Sequence, residues 1–327
     1  MNYGVIGTSE ITIRFIESAQ EAKDVHLTSV YSRSYEKAKQ FADRFKATSI
    51  YTDLNEMAKS DQIDVVYIAS PNSLHFEQVK LFLEHKKHVI CEKPIFSNLE
   101  EWQWAFEIAD VNGVLLFEAA RNIHAPNFRR LKDQIHKVGK IRSAVLSYMK
   151  YSSRYDLVLK GEEPNIFSLK YSGGALVDLG VYPIFAAVSL FGEPKNVSYF
   201  PVIIPTGVDG SGTLILEYDG FVCTILCSKI VNAELPCEIQ GESGTITFDH
   251  IAPVTKISYK NRITGLTEEL AEPQKELDMV YEIEAFKEII ETRNCERYEE
   301  LRRISEAALR ITAEARRQND IVFGVER

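Results

Sequence analysis

The sequence predicts an α/β Rossmann domain, a doubly wound parallel sheet, over residues 1–120. An α+β domain with a large, open, mostly antiparallel sheet is expected over residues 121–327. Three observations carry that prediction. At 327 residues the chain exceeds what one hydrophobic core usually serves. Its first stretch alternates short apolar strands with helices, the grammar of a parallel sheet. Beyond residue 121 the pattern changes to long strand segments punctuated by turn signals, the grammar of hairpins.

Taken in order, NYGVIG reads as a buried strand and Ile11 to Ala22 as a helix. VHLTSVYS, TSIY, IDVVYIAS, KHVICE and GVLLFEA are the strands that follow. Between them lie helices at Tyr35 to Phe45, DLNEMAKS with Asp53 near its N-terminus, PNSLHFEQVKLFLEHK, and Asn98 to Val111. A helix over Pro126 to Val138 opens the second part. The strand segments there are KIRSAVLSYMKY, NVSYFPVIIP, SGTLILEYDG, FVCTILCSKIV, PCEIQGESGTITFD and VTKISYKN. Tyr218-Asp219-Gly220 and Gly241 to Gly244 are turn signals that pair neighbours into antiparallel hairpins. Amphipathic helices over Leu277 to Thr292 and Tyr298 to Gln318 end the chain. One broad face of the second sheet needs cover, and a homodimer partner would supply it.

Charge narrows the partners. Lys and Arg number 38 against 47 Asp and Glu, a net charge of −9, which argues against nucleic acid. Apolar runs such as Val65 to Ala69 are too short to cross a bilayer, so no membrane role is expected. Met1 to Gly7 enters a strand pattern without a signal-peptide pattern, and a cytoplasmic location is expected. Cys91, Cys223, Cys227, Cys237 and Cys295 show no metal or disulfide spacing; buried, reduced thiols and no metal site are expected.

The first βα turn reads Gly7-Thr8-Ser9-Glu10-Ile11-Thr12 where a dinucleotide fingerprint has G-x-G-x-x-G/A. Gly7 can make the tight turn, Ser9 is small enough for close backbone approach, and Thr12 stands in for the last small residue. The second strand ends Ser32-Arg33-Ser34, with no acid at its tip. A 2′-hydroxyl is usually held by Asp or Glu, whereas a 2′-phosphate suits hydroxyls and a guanidinium, so NADP is favoured and NAD left possible.

Two further segments lie at the carboxyl ends of strands, where ligands bind in open α/β sheets: Ser70-Pro71-Asn72 with His75, and Glu92-Lys93-Pro94. SGGALVDLGVYPIF (Ser172 to Phe185) follows about 80 residues later. Glu-Lys-Pro after a strand together with this second segment resembles the glucose–fructose oxidoreductase, inositol dehydrogenase and MocA family, nearly end to end. The resemblance is to the branch with tyrosine at Tyr182, which includes dihydrodiol dehydrogenases.

The resemblance implies an NAD(P)-dependent oxidoreductase acting on a small sugar, polyol or dihydrodiol-like hydroxy compound. It implies that Lys93, after a cis Lys93–Pro94 bond, points its ammonium at the substrate oxygen and stabilises the alkoxide. Tyr182 would exchange the hydroxyl proton, and Asp178 would orient substrate or Lys93. Gly7 to Ile11, Ser32 to Ser34, Ser70 to Asn72, His75, Glu92, Lys93 and Glu118 are assigned to the cofactor. His75 also reads as a helix-surface or supporting residue. Glu118, Arg121 and His124 are candidate pocket liners, and Arg154 and Asn165 could reach substrate hydroxyls. Arg121-Asn122 departs from the bulkier aromatic version of the dihydrodiol branch. Two alternatives stay open: a glycosidase using transient oxidation by a held nicotinamide, and a non-catalytic cofactor sensor.

Overall fold

The computed structural model describes all 327 residues, which divide into two compact units, Met1–Ala119 with Leu277–Arg303, and Ala120–Glu276 with Ile304–Arg327. In the first unit the strands are β1 (Asn2–Ile6), β2 (His26–Tyr31), β3 (Ser49–Tyr51), β4 (Val65–Ile68), β5 (His88–Glu92) and β6 (Leu116–Ala119). The intervening helices are α1 (Glu10–Glu21), α2 (Tyr35–Phe45), α3 (Leu54–Ala58), α4 (His75–Glu84) and α5 (Leu99–Asn112). The sheet is parallel with order β3-β2-β1-β4-β5-β6, so the strand order reverses between β1 and β4. Doubly wound sheets place their ligand at that switch point. Val65 to Ile68 are all buried, as a strand covered on both faces must be.

Caps fix where the helices start. Ser34, Asp53 and Asn98 each accept a backbone N–H in the first turn of α2, α3 and α5. Gly113 ends α5 with φ +69°, and nothing crowds that open turn.

The second unit begins with α6 (Pro126–Gln134), with proline in its first turn, and runs through α7 (Tyr155–Val158) to α8 (Val181–Phe191). Its strands are β7 (Ile141–Met149), β8 (Asn196–Ile203), β9 (Asp209–Tyr218), β10 (Phe221–Ser228), β11 (Cys237–Gly241), β12 (Gly244–Phe248), β13 (Ile257–Asn261) and β14 (Thr267–Glu269). They form one eight-stranded sheet ordered β14-β13-β12-β11-β7-β10-β9-β8. The hairpins at Tyr218–Phe221 and Gly241–Gly244 form as the turn residues require. Hairpin logic pairs only chain neighbours, and it misses that β7 and β10 lie side by side in parallel, Ser143 opposite Val222 through Met149 opposite Ser228.

Leu169–Phe191 has the length and apolarity of a membrane-crossing helix, but 72% of its apolar window is buried inside the protein. It is also interrupted by an αL residue at Ser172 and a π-helical turn over Leu176–Gly180 before α8 begins. Gly192 closes α8 with φ +81°.

The last segment departs from the single continuous domain expected over 121–327. Its helices are α9 (Val280–Thr292) and α10 (Cys295–Arg317), and the chain from Leu277 to Arg303 belongs with the first unit. The reason is packing: Phe286 stacks on Phe117 at 4.5 Å, Tyr298 accepts a hydrogen bond from the Leu116 N–H, and Arg14 makes a two-nitrogen bridge to buried Asp278. Four cysteines are buried as expected, and Cys295, at the start of α10, is exposed.

Candidate active site

In the first unit the βα turn after β1 is shaped by what it lacks. Gly7 has φ +111°, and a Cβ there would meet the Ala69 carbonyl oxygen at 2.7 Å. Only glycine takes that conformation and that approach. Ser9 is the N-cap of α1 and its hydroxyl accepts no backbone N–H of the first turn, so those N–H groups are left for a ligand. Thr12 is fully buried and sits within 3.5 Å of the Ser9 hydroxyl. Thr8 is half-buried and Glu10 exposed at the same turn. A glycine turn feeding a helix terminus at the strand-order reversal fits a dinucleotide pyrophosphate.

Arg33 is exposed and makes no ion pair, so its guanidinium is available to an anion. Its neighbours are more committed: Ser32 Oγ accepts the Ser34 N–H at 3.3 Å, and Ser34 caps α2 and donates to Glu36 at 2.9 Å. The Ser70 hydroxyl donates to Gln78 at 2.7 Å, and Pro71 and Asn72 are half-buried beside it.

The Lys93–Pro94 bond is cis, as the resemblance implied. Lys93 is half-buried, and bonds hold the turn that carries it from several sides. The Lys93 N–H donates to Glu92 at 3.3 Å, and Glu92 also accepts the Tyr67 hydroxyl at 2.6 Å. The Ile95 N–H donates to Glu118 at 2.9 Å. Glu92 is only 7% exposed, and each of its oxygens accepts a bond within this framework. Glu92 and Glu118 therefore help to shape the turn that carries Lys93.

His75, expected as a helix-surface or supporting residue, is fully buried and so not on the surface, and both ring nitrogens face backbone carbonyls. Burial lowers its pKa, so the ring is held towards the neutral form.

The second unit carries the other cluster. Gly173 and Gly174 pass where side chains would not fit: a Cβ on Gly173 would lie 2.6 Å from the Ile166 carbonyl oxygen, and one on Gly174, at φ +137°, would overlap the Asp209 carboxylate. Asp209 is 2% exposed, and burial raises its pKa to about 6. It accepts from the Leu176 N–H at 2.6 Å and the Tyr199 hydroxyl at 2.7 Å, anchoring the π-helical turn that holds Asp178. π-Helical turns recur at functional sites.

Asp178 is paired with Lys229, a cation that sequence reasoning missed. The Lys229 side chain is 7% exposed and that of Asp178 30%. Lys229 directly follows β10, 51 residues from its partner, and only the sheet brings the two together.

Tyr182 is 5% exposed and lies on the first turn of α8. Its ring is 5.5 Å from the Arg121 guanidinium and 5.4 Å from the Tyr148 ring, which meets His250 edge-on at 5.7 Å. Asn122 donates to the Tyr182 carbonyl at 3.0 Å. Arg121 thus lies beside Tyr182, and His124 is 1% exposed and packs inside the unit. Arg154 and Asn165 are exposed on the loop before Ser172.

Comparisons with known proteins agree with this architecture. The family model for oxidoreductases with an NAD-binding Rossmann fold matches residues 1–120, and the matching C-terminal domain model covers residues 128–247. The chain is 45% identical over 323 residues to the scyllo-inositol 2-dehydrogenase (NADP(+)) of Bacillus subtilis, covering 99% of this chain and 98% of that protein. It is 29% identical over 255 residues to the trans-1,2-dihydrobenzene-1,2-diol dehydrogenase of Danio rerio, covering 75% and 73%. Among solved structures, a 3-ketoreductase from Actinomadura kijaniata in complex with NADP and TDP-benzene superposes with TM-score 0.84 at 23% identity, covering 96% and 97% of the two chains. An aldose-aldose oxidoreductase from Caulobacter crescentus complexed with glycerol does so with TM-score 0.82 at 18% identity, covering 97% and 98%. At such identities these two show the shared fold.

Proposed function

Because the chain belongs to the glucose–fructose oxidoreductase, inositol dehydrogenase and MocA family, we propose that it moves hydride between NADP and a secondary hydroxyl carbon of a sugar or polyol. The observation that carries this reading is the end-to-end likeness to an NADP(+)-using scyllo-inositol dehydrogenase, which makes a cyclic polyol the first substrate to try. When bound, NADP would supply the carbon that accepts or returns the hydride.

The chain's own residues divide the remaining work. Gly7 to Ile11 would cradle the pyrophosphate, and Arg33 with Ser32 would hold the 2′-phosphate. Lys93 would place its ammonium on the reacting oxygen and stabilise the alkoxide as it forms. Tyr182 would exchange the hydroxyl proton, with Arg121 beside its ring. Asp178, set by Lys229, would orient the substrate hydroxyls.

The second sheet leaves Phe200 and Val202 on β8 and Val222 on β10 exposed on one face. An apolar sheet face of this kind supports a homodimer built on it, in a protein working in the cytoplasm.

Thermal shift with NADP(H) and NAD(H), run side by side, tests the cofactor assignment, since selective binding raises the midpoint by mass action. NADP(H) is expected to give the larger shift, and Arg33→Ala should weaken its binding by about tenfold to a hundredfold while leaving NAD(H) binding alone. A response to NAD(H) alone would remove Arg33 from the role of phosphate reader. Formation of NADPH from scyllo-inositol supports the dehydrogenase reading, whereas release of free sugar from an aryl glycoside without net redox would replace it.

A further inference from the structure

Two turns of the first unit, Ser70-Pro71-Asn72 after β4 and Lys93-Pro94-Ile95 after β5, carry different expected duties. One borders the cofactor and the other aims the lysine. A single buried side chain spans them. His75 Nδ1 lies 3.0 Å from the Pro94 carbonyl oxygen and 3.2 Å from that of Ile95. Its Nε2 lies 3.0 Å from the carbonyl oxygen of Ser70. The ring is fully buried, so no water competes for these contacts.

The lysine turn is gripped from its other side as well. The Ile95 N–H donates to Glu118, and the buried Cys91 thiol lies 3.8 Å from the Ile95 carbonyl oxygen that His75 shares. Beneath both turns β4 and β5 are hydrogen-bonded in register from Val65 opposite His88 to Ile68 opposite Cys91. The strands fix the base of each turn, and His75 fixes the spacing of their tips.

We propose that His75 is a positioning residue that locks the cofactor-side turn at Ser70 to the turn carrying Lys93, so that the lysine is held at a set distance from the bound nicotinamide. This rests on the oxidoreductase reading above. A neutral imidazole donates from one nitrogen only, so one link is a hydrogen bond and the other a close packing contact between the ring and a carbonyl oxygen, and the two are separable by chemistry.

Two amides separate them. In His75→Asn the side-chain nitrogen falls near the place of Nδ1 and keeps the link to the lysine turn. In His75→Gln it falls near the place of Nε2 and keeps the link to Ser70. Under the proposal, His75→Asn weakens NADPH binding severalfold with the smaller change in kcat. His75→Gln retains NADPH affinity and loses about tenfold or more in kcat, the scale of a slightly misplaced catalytic group. Wild-type-like behaviour of either variant in every readout would show that the ring serves one turn only and overturn the coupling. So would equal losses in both variants that simply follow their melting temperatures.

Amide hydrogen exchange of the cofactor-free proteins keeps this test apart from the functional reading. His75→Asn should loosen peptides around Ser70 to Ser73, and His75→Gln those around Lys93 to Ser97. If wild-type protein turns over no polyol, the activity assignment falls, and the exchange pattern still decides whether His75 links the two turns.

Discussion

Lys93→Met is expected to lower kcat by about 10²–10³-fold, the range seen when one preorganised donor to a developing oxyanion is removed. Methionine keeps most of the stem and discards the charge, so the loss reads electrostatics rather than packing. Two backbone bonds hold the turn without the ammonium: the Lys93 N–H reaches Glu92, and the Ile95 N–H reaches Glu118. The turn should therefore survive the change, and NADPH should still raise the melting temperature. Steady-state kinetics with scyllo-inositol and NADP measure the first effect, and thermal shift the second. A loss smaller than about tenfold would remove Lys93 from the role of oxyanion donor. A large loss accompanied by failure to bind NADPH would mean that the residue serves the cofactor and not the substrate. Lys93→Arg should recover only part of the activity, because a broad planar guanidinium does not present charge where a compact ammonium does.

Much of the first unit could be read from the chain because its determinants are local. Strands such as Val65 to Ile68 are uniformly apolar and β-branched or aromatic, and the alternation with helices leaves few arrangements open. Lys93 was legible for a related reason: a charge and a proline at the mouth of a buried strand have few purely structural explanations. What escaped depends on distant pieces of chain meeting. Lys229 looks like an ordinary strand-end lysine until β10 lies beneath the turn holding Asp178. Asp209, in VDGSG, resembles a loop acid, yet it is buried, and the glycine at 174 leaves it room. His75 opens a helix among polar neighbours and so reads as a surface group; its enclosure comes from the Lys93–Pro94–Ile95 turn folding over it. The parallel pairing of β7 with β10 and the return of α9 to the first unit are likewise silent in sequence, because an apolar face does not name its partner.

The Asp178–Lys229 pair yields an asymmetric prediction from burial alone. Lys229 is 7% exposed in its side chain, and Asp178 is 30%. Asp178→Asn strips a buried cation of its ion-pair partner, and uncompensated buried charges cost about 3–5 kcal/mol. Lys229→Met does the reverse: an apolar side chain replaces one whose ammonium lies 5.8 Å from the Phe167 ring centroid, and the carboxylate left behind still reaches water. Its cost should be nearer 1–2 kcal/mol, roughly that of a partly desolvated polar group losing one partner. The double variant should be more stable than Asp178→Asn alone, because removing both charges abolishes the desolvation that the single change leaves unmatched. Urea midpoints of the four proteins measure all three differences. Equal costs for the two single changes, or costs that add in the double, would mean that Lys229 draws its compensation from something other than Asp178. Activity then says what the pair is for. Both single variants should lose turnover on a polyol while binding NADPH normally, since the pair lies in the unit that does not carry the dinucleotide turn. If Lys229→Met leaves kcat and KM untouched, the pair is a packing device, and Asp178 does not depend on it to meet the substrate.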